Sequence, residues 1–586
     1  MSRNQKLLLF VAIALVVGGT FSTVLEADFL NWDDNQNIYD NPRVQELTAE
    51  NIRWMFTDVG PDIRYKPFTW LAWGTIDALF GQNPKAFHAF NLFLHLINTA
   101  LLIAVFVSLG KRIRPPETEA DERRLLLMAA GTAVLWAVHP LRVEPVSWVS
   151  CTAHGLCLAF CLLATFQFLR TDFAQPVWTQ GSYWLSLAWM GLGLLTFPLP
   201  LGYGAVLVAL FICPLNRVAM GTKSDLVDPR NRKAVLDLLP FLGVSVAVLL
   251  VQLYCRVSIR GTFGEAVSLA QFPLIDRFFQ STYVWMFYLW KTLLPLNLSP
   301  VYLDLTELRG FDWPFVASAV AWGIVVAVAF RFRVVAPGWL AVVVAHLGVL
   351  VPVLGLTERP HFPGDRYSHI DGAILMAALF GVAWTFADRL SGRAWAGSLA
   401  LLVVTLSCLS FRQSLIWLDD RTFFTHQTNR LADGGQRGMA FVRLAASYQR
   451  AGDLERAGEY YAAALKTHPG YPAIDLFLPY GMVLEGLGQN RFAARQYQTA
   501  IRIEPGHPEA WKRLGMIFLR EGEPDLAASL WNDAARLHGQ NFDAVMTFAE
   551  GFQAAGHRAL ASDLAAKAAE IAPKDPRLLA LQAKLP

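Results

Sequence analysis

The stretch Phe87–Leu109 reads FHAFNLFLHLINTALLIAVFVSL and contains no Asp, Glu, Lys or Arg. A helix needs about 20 apolar residues to cross the hydrocarbon core of a bilayer, and this segment supplies them. It is not uniformly apolar. His88, Asn91, His95 and Asn98 recur at spacings of three, four and three, which puts all four on one narrow helical stripe. Polar groups in a membrane helix are costly. The stripe is therefore expected to face the protein interior, either lining a cavity or bonding to neighbouring helices.

Similar segments lie on both sides of it. Apolar runs are expected to span at roughly 7–24, 87–109, 125–138, 148–169, 183–197, 199–215, 235–254, 314–330, 336–354, 371–388 and 394–411. A further run at 279–296 breaks the parity of the loops. It is expected to be re-entrant or interfacial, with Trp285, Tyr288 and Trp290 at headgroup level. Eleven spans remain. The bulk composition agrees: 54% of residues are apolar, 17% are charged, and the mean hydropathy is +0.35. A soluble chain of this length needs more charge to cover its surface. The net charge of +3 and the absence of a basic tract argue against nucleic acid as a partner.

Lys and Arg in short loops set the orientation. Lys111, Arg112, Arg114, Arg123 and Arg124 mark one cytoplasmic loop. Arg217, Lys223, Arg230, Arg232 and Lys233 mark another. Arg3 and Lys6, ahead of the first run, fit a signal anchor with a cytoplasmic N-terminus. Loop 25–86 and the C-terminus then lie outside, consistent with a bacterial inner membrane and a periplasmic C-terminal domain. The six cysteines all lie in or beside apolar segments without a CxxC pair, and are read as small packing residues.

From about residue 437 the apolar runs shorten and a repeat begins. Gly452, Gly488, Gly522 and Gly556 are spaced by 36, 34 and 34 residues. Ala457, Ala493, Ala527 and Ala561 follow each glycine by five residues, and Ala464, Ala500, Ala534 and Ala568 by seven more. Pro469, Pro505 and Pro573 close units. This is the tetratricopeptide (TPR) pattern of small residues where paired helices cross and glycine at the turn. The expected organisation is all-α: a polytopic membrane helix bundle over 1–412, a connector over 413–436, and a TPR solenoid over 437–586.

Polar residues cluster near the expected outer surface. Asp33 and Asp34 sit side by side about eight residues after the first run, and Tyr65 and Lys66 follow Arg64 at the end of the same loop. An acidic pair there suits a general base or a metal ligand, or simply an Asx turn. His139, Arg142 and Glu144 stand at one helix end, and Asp365, Arg366 and Tyr367 at another. An arginine at the mouth of a membrane cavity suits a phosphate, although Asp365–Arg366 also reads as a plain surface pair. No Walker loop, GxGxxG, HExxH or Cys/His zinc spacing occurs, so soluble nucleotide chemistry is unsupported.

These blocks together resemble the GT-C glycosyltransferases, in particular the transmembrane-and-TPR O-mannosyltransferase-like group and its bacterial relatives. Phe29–Pro42, FLNWDDNQNIYDNP, is similar to that group's first-loop signature. Tyr65-Lys66-Pro67 with Phe87, His88, Asn91, His95 and Asn98 resembles its second block, and His139-Pro140, Glu144, Val146 and Trp148 its third. Lys291, Pro295, Leu298 and Tyr302 resemble a later block, and so do Asp365-Arg366-Tyr367 and Arg412-Gln413 with Trp417. The resemblance implies a polyprenyl-phosphate-linked sugar as donor, a protein hydroxyl as acceptor, and inverting chemistry on the outer face. It implies Asp34 as base with Asp33 positioning it. Arg366, Tyr367, Glu144, His139, Tyr65, Lys66 and Lys291 fall on the donor side, and His88, Asn91 and His95 line the cavity. No organic cofactor or metal is expected, with a divalent cation left open, and the repeats are expected to engage the acceptor or a partner protein. Two departures stand out. Thr152 and His154 occupy positions where the group usually carries an arginine and an aspartate, and Thr196-Phe197-Pro198 stands near its Ser-Lys-Glu. They keep open the alternative of a non-catalytic membrane-anchored TPR scaffold descended from such an enzyme.

Overall fold

The computed structural model describes residues 1–58, 65–220, 228–258, 268–270, 272–302, 311–356, 363–389, 392–470, 473–537 and 541–585. Arg64 and Lys223 of the sequence reading lie outside the described residues. Every regular element among those described is helical. The chain divides into two compact units, Met1–Phe423 and Phe424–Pro586.

The first unit is an integral membrane domain. Among the described residues seven of its helices are long and apolar enough to cross a bilayer, and eight if the bent pair Glu119–Ala137 and Pro140–Ser147 is one span, so the expected eleven is not confirmed. Segment 183–197 lies in Gly181–Thr196, which at 1.5 Å per residue is only about 24 Å long. Segments 199–215 and 336–354 lie in the shorter apolar helices Leu199–Ile212 and Pro337–Val353. Leu274–Leu293 carries Asp276, Arg277 and Lys291 and is not among the seven. Its Tyr288 is fully buried inside the bundle, where its hydroxyl donates to the Gly364 carbonyl (3.1 Å) and accepts from the Gly364 N–H (3.2 Å).

Local chemistry explains the helix ends. Ser2 and Gln5 form a capping box at the first span, and Thr118 and Asp121 form one that starts the Glu119–Ala137 helix. The chain then bends by 65° at His139-Pro140, where proline has no N–H to continue the helix. The helix Gly204–Ile212 and the helix Pro337–Leu350 approach closely. A Cβ at Gly348 would overlap Ala205, and one at Gly202 would overlap the Gly348 carbonyl. The segment that follows the first span carries its own small core, in which Ile38, Val44 and Met55 pack against Trp70, Trp73 and Phe87.

The second unit holds four helix pairs: Gly435–Arg450 with Leu454–Thr467, Ile474–Gly486 with Asn490–Ile503, Pro508–Arg520 with Pro524–Leu537, and Phe542–Ala554 with Arg558–Ile571. The eight repeat alanines are all buried at helix crossings. Gly452, Gly488, Gly522 and Gly556 turn between the paired helices at φ of +80°, +73°, +82° and +81°. That is left-handed backbone, which side chains with a Cβ resist. Replacing Gly488 by Ala is expected to cost about 1 kcal/mol, which speeds native-state hydrogen exchange in that helix pair roughly fivefold. Unchanged exchange in the full-length variant would contradict this account of the turn.

Candidate functional site

The acid pair lies on an unusual piece of helix. Asn35–Tyr39 is a single π-helical turn, and Asp34 precedes it as its cap residue. The turn aims the two carboxylates differently. Asp33 is exposed, whereas Asp34 is fully buried. Oδ2 of Asp34 accepts from the Leu30 N–H at 2.9 Å. Its Oδ1 accepts from the Ser150 N–H at 2.9 Å and the Ser150 hydroxyl at 2.5 Å. Burial pushes the Asp34 carboxyl up to about 7, the Asp33 charge adding slightly, while those three donors pull it down. The loop is also held from the far end of the membrane domain: Leu418 O accepts from Asp28 N–H at 2.8 Å, and Asp420 from Asn31 N–H at 2.7 Å.

A carboxyl whose folded-state pKa stands above its unfolded value makes the fold most stable at low pH. For Asp34 that contribution is present below about 4 and is lost as pH rises through about 7. The melting temperature of the solubilised protein is expected to carry this downward slope, and Asp34→Asn to remove it. An identical slope in the variant would contradict the assignment.

The arginine side is built on the bent segment. Glu144 is buried. Its Oε1 accepts from Nη1 of Arg366 at 2.5 Å, and its Oε2 from the Arg366 backbone N–H at 2.8 Å. The guanidinium lies 5.4 Å from the Trp148 ring centre and 4.5 Å from that of Tyr367, and its Nη2 donates to the Tyr367 hydroxyl at 3.1 Å. The Arg366 side chain keeps 22% exposure, so one edge of it remains accessible. Beside it, Asp365 accepts from the Tyr302 hydroxyl at 2.7 Å. The turn that carries Trp148 against Arg366 also carries Ser150, which bonds Asp34, so one short stretch of backbone links the two sides.

The other expected donor-side residues are occupied. His139 Nδ1 accepts from the Leu141 N–H, which leaves Nε2 to donate to the Thr292 carbonyl at 3.1 Å. Tyr65 donates to the Phe56 carbonyl at 2.8 Å. Lys66 reaches Asn37 Oδ1 at 2.7 Å and thus braces the acid loop. Lys291 is buried over Trp290 at 4.2 Å and donates to the Leu296 and Asn297 carbonyls at 2.5 and 3.4 Å, which ties down the segment just after its own helix.

The polar stripe on Pro84–Ile113 is buried throughout. His88, Asn91, His95 and Asn98 donate in turn to the carbonyls of Asp28, Trp148, Ala137 and Gly155, at 3.2, 3.1, 2.9 and 2.9 Å. Two of these carbonyls, Ala137 and Trp148, flank the bent segment, so the stripe holds the elements that carry Glu144. Thr152 donates to Asn91 Oδ1 at 2.7 Å, and His154 packs 4.4 Å from the Phe197 ring and 6.0 Å from that of Tyr367. Sequence reasoning missed Ser150 and Asn37, and also a buried pair in which His346 Nδ1 meets Asp371 Oδ1 at 2.7 Å. No motif marks any of these, since each is a common residue whose partner lies far away in sequence. Among the described residues no three His, Cys, Asp or Glu side chains are grouped to hold a metal.

Comparison with known proteins matches residues 481–542 to the tetratricopeptide repeat family. The chain is 30% identical over 165 residues to the Protein O-mannosyl-transferase TMTC4 of Homo sapiens, covering 26% of this chain and 22% of that protein. It is 26% identical over 152 residues to the Protein CTR9 homolog of Arabidopsis thaliana, covering 25% and 14%. The matches thus span less than a quarter of the length of either relative. Among solved structures, ArnT from Cupriavidus metallidurans bound to undecaprenyl phosphate aligns over 89% of this chain and 81% of its own, at 16% identity and a TM-score of 0.34. MamA aligns over 28% and 90%, at 16% identity and a TM-score of 0.23.

Proposed function

We propose that the chain is a membrane glycosyltransferase that moves a sugar from a polyprenyl-phosphate donor to a protein hydroxyl on the outer face of a bacterial inner membrane. The observation that carries this is one short turn that holds both sides: Ser150 bonds Asp34, the neighbour of the exposed carboxylate Asp33, and Trp148, two residues earlier, lies against the edge-exposed Arg366 guanidinium at 5.4 Å. A carboxylate and a guanidinium are the two groups this transfer needs. The acceptor oxygen attacks C1 of the sugar, its proton passes to Asp33, and the C1–O bond to phosphate breaks with inversion. The electron pair leaves on the polyprenyl phosphate, which departs as an anion and needs a cation rather than a general acid. Arg366 supplies that cation. Asp34 anchors the loop, which reverses the roles expected for the two aspartates, because a fully buried carboxylate already accepting three hydrogen bonds is closed to an acceptor hydroxyl. The TPR unit engages the acceptor protein.

A second reading, a non-catalytic scaffold, is favoured by the His154–Phe197 contact, which places an aromatic pair at positions where the resembled group carries charge. Ligand-induced stabilisation separates the two. Polyprenyl phosphate at about 100 times its Kd is expected to stabilise the solubilised protein by about 2.7 kcal/mol and to have little effect on Arg366→Ala. An equal response in both, or none in either, would contradict the donor-site reading.

A further inference from the structure

The acid loop and the arginine come from opposite ends of the membrane domain's sequence, yet transfer requires them in one register. We propose that Ser150 is the positioning residue that sets this register, with Asn37 as its partner on the loop. This rests on the transfer reading above.

Two residues of the acid loop meet on the Ser150 hydroxyl, and a third segment is tied in through one of them. It donates to Asp34 Oδ1 at 2.5 Å and accepts from Asn37 Nδ2 at 3.1 Å, and Asn37 Oδ1 in turn takes the Lys66 ammonium at 2.7 Å. The Ser150 N–H donates to the same Asp34 oxygen at 2.9 Å. Two residues earlier in the same turn stands Trp148, which carries the Arg366 guanidinium on its ring and whose N–H closes on Glu144 O at 3.1 Å. One short turn therefore grips the acid loop at Ser150 and the arginine site at Trp148. The backbone N–H of Ser150 survives any substitution, so the side chain's part can be isolated. Alanine removes the hydroxyl that both Asp34 and Asn37 use, and threonine restores it.

The expected effects follow from geometry and charge. A misplacement of about 1 Å between reacting groups costs on the order of 100-fold in rate. Ser150→Ala is therefore expected to lower kcat by roughly 10- to 100-fold while leaving KM for polyprenyl-phosphate mannose within about twofold. Asp34 holds the acid loop by accepting on both oxygens, which only its ionised form can do, so its protonation releases Asp33 from register; loss of the Ser150 hydroxyl, which holds the Asp34 carboxyl down, therefore moves the acidic limb of the pH–rate profile to higher pH. Ser150→Thr is expected to restore both, and Asn37→Ala to lower kcat in the same direction as Ser150→Ala.

The test uses the full chain, with melting temperature confirming that each variant is folded and with two readouts. The first is the pH dependence of transfer from polyprenyl-phosphate mannose. The second is hydrogen exchange of peptides from 28–41, expected to quicken in Ser150→Ala and to return to the wild-type rate in Ser150→Thr, while 84–113 stays unchanged. A Ser150→Ala protein with wild-type kcat, pH limb and loop exchange would overturn the proposal. So would a Ser150→Thr protein that melts normally yet behaves like alanine. If the wild-type protein transfers nothing, the transfer reading fails on its own account, and wild-type loop exchange in Ser150→Ala would still refute the anchoring role.

Discussion

Asp33→Asn is expected to lower sugar transfer by about 10²–10⁴-fold, the usual contribution of a general base, with melting temperature unchanged. The side chain is exposed and asparagine keeps its volume, so the substitution disturbs no packed core. Asp34→Asn is a different perturbation. Both oxygens of Asp34 accept from backbone N–H groups, Leu30 on one side and Ser150 on the other. An amide has one acceptor oxygen, so its NH₂ must face one of those donors. The cost is about 1–3 kcal/mol for a buried group left unsatisfied. Asp34→Asn should therefore lose both activity and stability, and Asp33→Asn activity alone. The comparison is made by assaying transfer and melting temperature on the same purified variants. Full activity in Asp33→Asn would remove it as the base.

Arg366→Ala is expected to abolish measurable transfer and to lower stability. Glu144 is 2% exposed, and both of its oxygens are bonded to Arg366. Removing the guanidinium leaves a buried carboxylate with a single backbone N–H, at a cost of about 3–5 kcal/mol. Arg366→Lys keeps the charge but not the planar fork that reaches Glu144 and Tyr367 together, so it should recover part of the stability and little of the transfer. The double variant Arg366→Leu/Glu144→Gln removes both charges. It should melt above Arg366→Ala and remain inactive, which separates the pair's part in folding from its part in chemistry. Equal melting temperatures for wild type and Arg366→Ala would show that the pair does not hold the turn.

The repeats were legible in the sequence because their determinants are local. A glycine at φ near +80° and an alanine at a helix crossing each leave a residue-type signature at fixed spacing. The polar stripe was legible for the same reason, since spacing alone puts His88, Asn91, His95 and Asn98 on one face. Which groups they meet was not legible, because the Asp28, Ala137, Trp148 and Gly155 carbonyls lie 42 to 60 residues away. Lys291 shows the opposite limit. The family resemblance put it on the donor side, but its helix ends two residues on, at Leu293, and the chain that follows turns the Leu296 and Asn297 carbonyls back onto its ammonium. Asp33 and Asp34 are chemically identical neighbours, and only the π-helical turn and the Ser150 contact distinguish them. The sequence count of eleven exceeds the seven or eight long helices because hydropathy counts any apolar stretch, and Gly181–Thr196 and Pro337–Leu350 are apolar but short.

The most direct test is transfer itself. The purified full-length protein in lipid vesicles is given polyprenyl-phosphate mannose labelled in the sugar, together with periplasmic protein extract as acceptor, and protein-bound label and released polyprenyl phosphate are measured together. The account predicts equal amounts of both with the wild type, and neither above background with Asp33→Asn or Arg366→Ala. Label transfer that persists in Asp33→Asn, or a folded wild-type protein that releases no polyprenyl phosphate from this donor, would contradict it.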